Sequence, residues 1–311
     1  MQVKNRIFSN LYLQPNKMRI IFLLFVLFTC FASFAQTGND IRLFRITSAN
    51  TSFPDTARKT GHTYNKVLYP AAMHYSDSSV LIAVPSQFKA GKYIDVIFWF
   101  HGWRNNIDTA AVYFELTKQF IASNRNAVLV FPEAAKNAPD SYGGKLEKEA
   151  VFKNLLNDVL NKLKSEKVIA KRAKPGNIVL AGHSGAFRVM AHILQNGGVE
   201  VKQVILFDGL YSQADKYTAW IQADTSHQFI NLYTNKGGGT DEVSEKMMQQ
   251  LREKNISFIN AEEKDVYAPM LKSNQVIFIH SLKEHNDVIN RPDHNFRLFL
   301  ENSMALKISL N

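Results

Sequence analysis

The stretch Asn177-Ile178-Val179-Leu180-Ala181-Gly182-His183-Ser184-Gly185-Ala186-Phe187-Arg188 constrains this chain more than any other. Its apolar run reads as a buried strand, and it stops at a serine hemmed in by small residues before a helix begins. A serine hydroxyl reaches a carbonyl carbon only at a sharp strand-to-helix turn, where its own backbone is strained and its neighbours stay clear. Gly182, Gly185 and Ala186 supply that lack of bulk around Ser184. The first N–H groups of the following helix are left unpaired and face any negative charge that develops beside the serine, so Gly185 is a candidate donor to it. The competing reading is an ordinary tight loop in which Ser184 caps the helix.

The segment Gly182-His183-Ser184-Gly185-Ala186 resembles the G-x-S-x-G signature of the α/β-hydrolase superfamily, with Ala186 where the last glycine usually stands. The resemblance implies an α/β fold in which a mostly parallel sheet of about eight strands carries helices on both faces. A second segment fits it. Residues 93–100 are β-branched and aromatic without alternation, as suits a strand buried on both faces, and they end at His101-Gly102-Trp103-Arg104. In this superfamily a histidine-glycine pair after the third strand opens the loop whose next N–H completes the oxyanion hole. The resemblance gives that role to Trp103 and leaves His101 structural.

At 311 residues, 46% hydrophobic and 21% charged, the chain suits one large core, expected over residues 36–311. Residues 1–35 hold Lys4, Arg6, Lys17 and Arg19, then an uncharged run from Ile20 to Phe34 that ends Ala32-Ser33-Phe34-Ala35. Basic start, apolar middle and small residues at the cut define a secretory signal peptide cleaved near Ala35, and therefore a secreted or periplasmic protein. Met18, directly before Arg19, would start a signal of more usual length. The run is shorter than the roughly 20 residues of a membrane span. Thr29 fits poorly before a lipid-modified Cys30, so a lipoprotein is disfavoured. Cys30 is the sole cysteine, which leaves a processed chain without thiol, disulfide or cysteine-metal chemistry. Without its four basic residues the formal charge of +10 falls to +6. The remaining basic residues are scattered, which indicates a solvated face and no nucleic-acid partner, with mild attraction to an anionic envelope polymer.

Residues 36–52 are polar and aperiodic and read as a lead-in. Residues 66–69 and 79–84 read as an edge hairpin, and Asp108 as the cap of a helix running to about Ser123. Residues 127–131 form a strand that Pro132 closes, with Glu133 at its end facing substrate or solvent. Residues 147–163 carry Val151, Leu155, Val159 and Leu163 at four-residue spacing, a core-facing helical stripe. Further strands are expected at 201–207, 228–233 and 275–279, with helices at 185–195, from the Gly237-Gly238-Gly239 loop to 253, and around Phe296, Leu300 and Met304.

Ser184 needs a base, and histidine, with an ordinary pKa of about 6.5, is the usual one. The superfamily order is serine, acid, histidine. His192 sits on a helix, His227 precedes a strand and His280 ends one, whereas His285 lies far enough into the last loop to reach back, so His285 is chosen over His280 and His294. Asp208, in the turn Asp208-Gly209 after a strand, is the preferred acid. Asp241 is the reserve, with helix capping as its plain explanation. Arg104 and Tyr211 join Trp103 as candidate substrate contacts. No metal and no cofactor are expected, since His280, His285, Asp287 and His294 lack the spacing of a zinc motif. The expected activity is hydrolysis of an ester, or an amide as in a peptidase, of a small-molecule or polymer-linked substrate through an acyl-enzyme. The other reading is a silent hydrolase scaffold that binds an envelope glycan or peptide.

Overall fold

The computed structural model describes residues 41–309 other than 237 and 291; the expected signal peptide, its cut near Ala35 and Cys30 lie outside the described residues. The strands in chain order are β1 (Ile41–Thr47), β2 (His62–Tyr64), β3 (Val67–Tyr69), β4 (Ser79–Pro85), β5 (Tyr93–Phe100) and β6 (Ala127–Pro132). They continue with β7 (Lys174–His183), β8 (Gln203–Phe207), β9 (Gln228–Thr234), β10 (Ile259–Glu262) and β11 (Val276–Ser281). Nine of them form one sheet in the order β1-β4-β6-β5-β7-β8-β9-β11-β10. Within this sheet β4 pairs antiparallel with both β1 and β6, and the remaining pairings are parallel.

Successive residues of a strand point to opposite faces, so a strand covered on both sides must be apolar throughout. In β5, Val96, Phe98 and Phe100 enter one apolar layer, while Ile97 and Trp99 enter the other. β7 divides likewise, with Ile178 and Leu180 on the first face and Val179 and Ala181 on the second. Helices Val151–Ser165, Phe187–Asn196 and Thr240–Glu253 contribute to the first layer, and Leu116–Ala122, Ala268–Ser273 and Asn295–Glu301 to the second. Helix Val151–Ser165 buries Phe152, Leu155, Leu156, Val159, Leu160 and Leu163. Each such side chain contributes about 1.5–3 kcal/mol at most, so packing fixes this helix more than intrinsic propensity does. A charge at Leu156 would break it.

Several expectations change. The polar lead-in contains β1, an edge strand whose Arg42 and Arg45 face solvent. The expected edge hairpin is two separate things. β3 pairs with β2 in its own ribbon, turned by Asn65 and Lys66, both with positive φ, whereas β4 lies in the main sheet. Asn106, not Asp108, caps the next helix by accepting from the Thr109 N–H, and Asp108 pairs with Arg45. That helix stops at Tyr113, and a left-handed Glu115 restarts it as Leu116–Ala122. Helix Ala214–Ala223, β10 and helix Ala268–Ser273 were not anticipated.

Because β5 to β9 and β11 run parallel, their carboxyl ends share one rim. His101, Glu133, Ser184 and Asp208 directly follow strands there, and Thr234 ends one. Among the described residues no helix is long and apolar enough to cross a membrane.

Candidate active site

β7 is extended through His183, at φ −116° and ψ 140°, and Ser184 then turns to φ +55°. A left-handed non-glycine residue costs about 1–3 kcal/mol and persists only where its surroundings enforce it. Those surroundings are tight. A Cβ on Gly102 would fall 2.7 Å from the Cβ of Ser184, so the His101-Gly102 turn passes directly against the serine. A Cβ on Gly182 would fall 2.7 Å from that of Ala186. One methyl fits between strand and helix at this crossing, and it belongs to Ala186, which explains how alanine replaces the last glycine of the motif.

Asp208 follows β8 with φ +43° and is fully buried. Its carboxylate accepts from His285 Nδ1 at 2.5 Å, from the Thr234 N–H and Oγ1 at 3.0 Å each, and from Thr240 Oγ1 at 2.5 Å. Burial pushes this carboxyl up, but the bonds from His285 and Thr240, the His285 charge and the Thr234 N–H outweigh it, so Asp208 titrates below the ordinary carboxylate range. It is ionised at neutral pH. With Nδ1–H committed to Asp208, His285 keeps its Nε2 lone pair as the available base.

His183 holds the other side of His285. Its Nε2–H donates to the His285 carbonyl at 3.0 Å, and the two rings lie 4.4 Å apart. Burial, with the adjacent His285 acting the same way, lowers the His183 pKa to about 3, so this ring is neutral. Burial and the nearby Asp208 raise the Tyr211 phenol to about 12, and the neighbouring Ser184 hydroxyl acts in the opposite direction. Among the described residues no hydrogen bond joins Ser184 to His285. Such bonds commonly tighten only when a substrate is bound.

Trp103 and Gly185 meet at this point, since a Cβ on Gly185 would fall 2.4 Å from Trp103 Cδ1. Tyr211 packs against Gly238, its ring within 2.7 Å of the position a Gly238 Cβ would take. Arg104 has φ +55°, is exposed, and has no side-chain partner among the described residues. Asp241 lies in the first turn of helix Thr240–Glu253, whose cap position is Gly239, so it does not cap the helix, and His285 Nδ1 is bonded to Asp208 instead. His280 lies within β11 instead of ending it and binds Glu262. Glu133 faces neither substrate nor solvent: it is 1% exposed and binds His101 Nε2 at 2.7 Å, which makes both structural. Thr234, Thr240 and His183 are site residues that the sequence reading did not single out. Only the position of Thr234 at a strand's carboxyl end hinted at one of them.

Glu200, Asp224 and His227 bring possible metal-ligating atoms within 4.8 Å of one another. They lie at the amino ends of strands, away from Ser184, and the Lys202 ammonium already pairs with both carboxylates.

No protein-family model and no curated protein matches this chain. Solved structures do. A ferulic acid esterase is 11% identical with a TM-score of 0.53, over 84% of this chain and 98% of its own. Fluorophosphonate-binding serine hydrolase F of Staphylococcus aureus is 10% identical with a TM-score of 0.48, over 85% of this chain and 98% of its own. The S-formylglutathione hydrolase of the same organism is 10% identical with a TM-score of 0.48, over 84% and 99%. The chain has the α/β-hydrolase fold.

Proposed function

We propose that this chain is a secreted or periplasmic serine hydrolase that cleaves an ester through an acyl-enzyme. The observation that carries the reading is the 2.5 Å bond from His285 Nδ1 to a buried, ionised Asp208 on the same sheet rim as a left-handed Ser184. In this reading the Ser184 oxygen attacks the acyl carbon while His285 Nε2 takes its proton. Asp208 keeps the imidazole in the required tautomer and stabilises the imidazolium. The N–H groups of Trp103 and Gly185 receive the oxyanion. The imidazolium then protonates the departing alcohol, and a water, deprotonated by His285, releases the acid and restores Ser184. This cycle needs no metal or cofactor. The fold neighbour named as a ferulic acid esterase supports an ester over an amide as the bond cleaved. Export rests on the basic start, apolar run and Ala35 of the first 35 residues.

Labelling with a fluorophosphonate tests the reading. The wild type is expected to be modified at Ser184, Ser184→Ala not at all, and His285→Ala far more slowly. An intact, folded wild type that resists labelling and leaves p-nitrophenyl acetate untouched would be a silent scaffold, and the proposal would fail.

A further inference from the structure

Trp103 is 41% exposed, yet its ring is fixed on three sides. Its Nε1–H donates to Ser141 Oγ at 2.7 Å. Its Cδ1 edge lies over Gly185, where no Cβ would fit. The ring of Tyr64 meets it edge to face, 5.2 Å between centroids and 73° between planes. Tyr64 comes from a different element, the β2–β3 ribbon, whose tight turn at Asn65 and Lys66 sets how far it reaches. The other tryptophans, Trp99 and Trp220, are 1% and 8% exposed. A large apolar ring left in water but held still is a preorganised contact surface, because its side-chain entropy is already lost before a ligand arrives.

We propose that Trp103 and Tyr64 form a stacking platform for a sugar ring, so that the ester presented to Ser184 is borne by a saccharide. This deepens the hydrolase reading and rests on it for the ester, though not for the stacking. The chemistry of the platform selects the ligand class. The one polar atom of the indole is occupied by Ser141, so the exposed face offers only C–H and π contact. A fatty chain gains from such a surface mainly when enclosed, because the gain scales with the apolar area removed from water, and an aryl group stacks on it without using the polar surroundings. A pyranose instead has one apolar C–H face to lay on the indole and a hydroxyl rim that keeps its water. Arg104, next in sequence, is exposed and without a side-chain partner among the described residues, and it offers donors to such hydroxyls.

The test uses the Ser184→Ala protein, which binds without turnover, titrated with xylotriose, cellotriose and tri-N-acetylchitotriose. Since Trp99 and Trp220 are buried, iodide quenching of intrinsic fluorescence reports Trp103. At least one saccharide is expected to protect Trp103 from iodide saturably and to bind by calorimetry. Trp103→Ala and Tyr64→Ala, each in the Ser184→Ala background, should weaken that binding by roughly tenfold, about 1.4 kcal/mol. Circular dichroism checks that both variants fold, and the protection experiment needs neither of them. Absence of protection by every saccharide overturns the platform, as does protection by decanoate or phenyl acetate alone, or affinity unchanged in both variants. Fluorophosphonate labelling of the wild type separates the two proposals: labelling without saccharide binding removes the platform and leaves the hydrolase, whereas binding without labelling keeps the platform and removes the hydrolase.

Discussion

His183 and His285 lie ring to ring at 4.4 Å, and the Nε2–H of His183 donates to the carbonyl oxygen of His285 at 3.0 Å. The residue immediately before the candidate nucleophile thus fixes the loop that carries the candidate base. The variable second position of the motif acquires a task in this chain. Replacing it with phenylalanine keeps the apolar contact to Phe114 but removes the hydrogen bond. A net loss of about 0.5–1.5 kcal/mol should appear as a roughly two- to tenfold fall in kcat with little change in KM. Steady-state kinetics on an aryl acetate measure it. An unchanged kcat would show that the His285 loop is held without this bond.

The same ring makes stability depend on pH. Its folded pKa of about 3 lies below the ordinary histidine value, so between about pH 6.5 and 3 the unfolded chain binds a proton that the native one refuses. The resulting stabilisation is complete above pH 6.5 and is lost on acidification, by up to about 1.4 kcal/mol per pH unit. Urea unfolding of wild type and His183→Gln between pH 7 and 4.5, above the range in which Asp208 begins to protonate, should show the shallower dependence in the variant. Parallel curves for the two proteins would contradict the buried neutral ring.

Asp208 and Asp241 are separated by one substitution each. Asp208→Asn removes the charge that aligns His285 and should lower kcat by on the order of 10³ to 10⁴. Asp241→Asn should leave kcat within about twofold, since its carboxylate does no more than complement a helix dipole. Thr240→Val is the intermediate case. It deletes one of the four hydrogen bonds to Asp208 and leaves part of a buried carboxylate unsatisfied, for about 1–3 kcal/mol of stability. Chemical denaturation and kcat measured side by side on the three variants rank them. A large loss of activity in Asp241→Asn alone would reverse the assignment.

What the sequence disclosed follows from how each feature is encoded. β5, β6 and β7 were legible because burial on both faces demands unbroken apolar runs, and the elbow because its crowding excludes side chains near Ser184. Asp208 and His285 were reachable from chain order and from their places after strands. β1 stayed hidden because the exposed Arg42, Leu43 and Arg45 interrupt its half-buried positions Ile41, Phe44 and Ile46, so no clean alternation shows. The break at Glu115 carries no glycine or proline to announce it. Glu133 looked like a solvated acid because its partner His101 is 32 residues away, and only the folded sheet rim brings the two together. The hydroxyls of Thr234 and Thr240 and the ring of His183 belong to the same class: their roles are pairwise and distant in sequence, so no local pattern records them.

The crossing of Gly182 and Ala186 yields a prediction about the motif itself. A methyl at 182 would meet the Ala186 Cβ at 2.7 Å and Met190 Sδ at 2.6 Å. Met190 is flexible and can yield, whereas Ala186 sits on backbone that cannot. Gly182→Ala should therefore destabilise the fold by about 1–3 kcal/mol through overpacking and slow labelling of Ser184 as the elbow shifts. Ala186→Gly alone restores the full G-x-S-x-G pattern and should cost only about 0.5–1 kcal/mol of backbone entropy. Combined, the two substitutions move the single methyl from helix to strand, so the double variant should recover part of the loss, with a coupling energy of about 0.5–3 kcal/mol. Urea midpoints for the four proteins of this cycle give the coupling directly. If the two costs simply add, the methyls do not share one space, and the account of how alanine replaces glycine here must be abandoned.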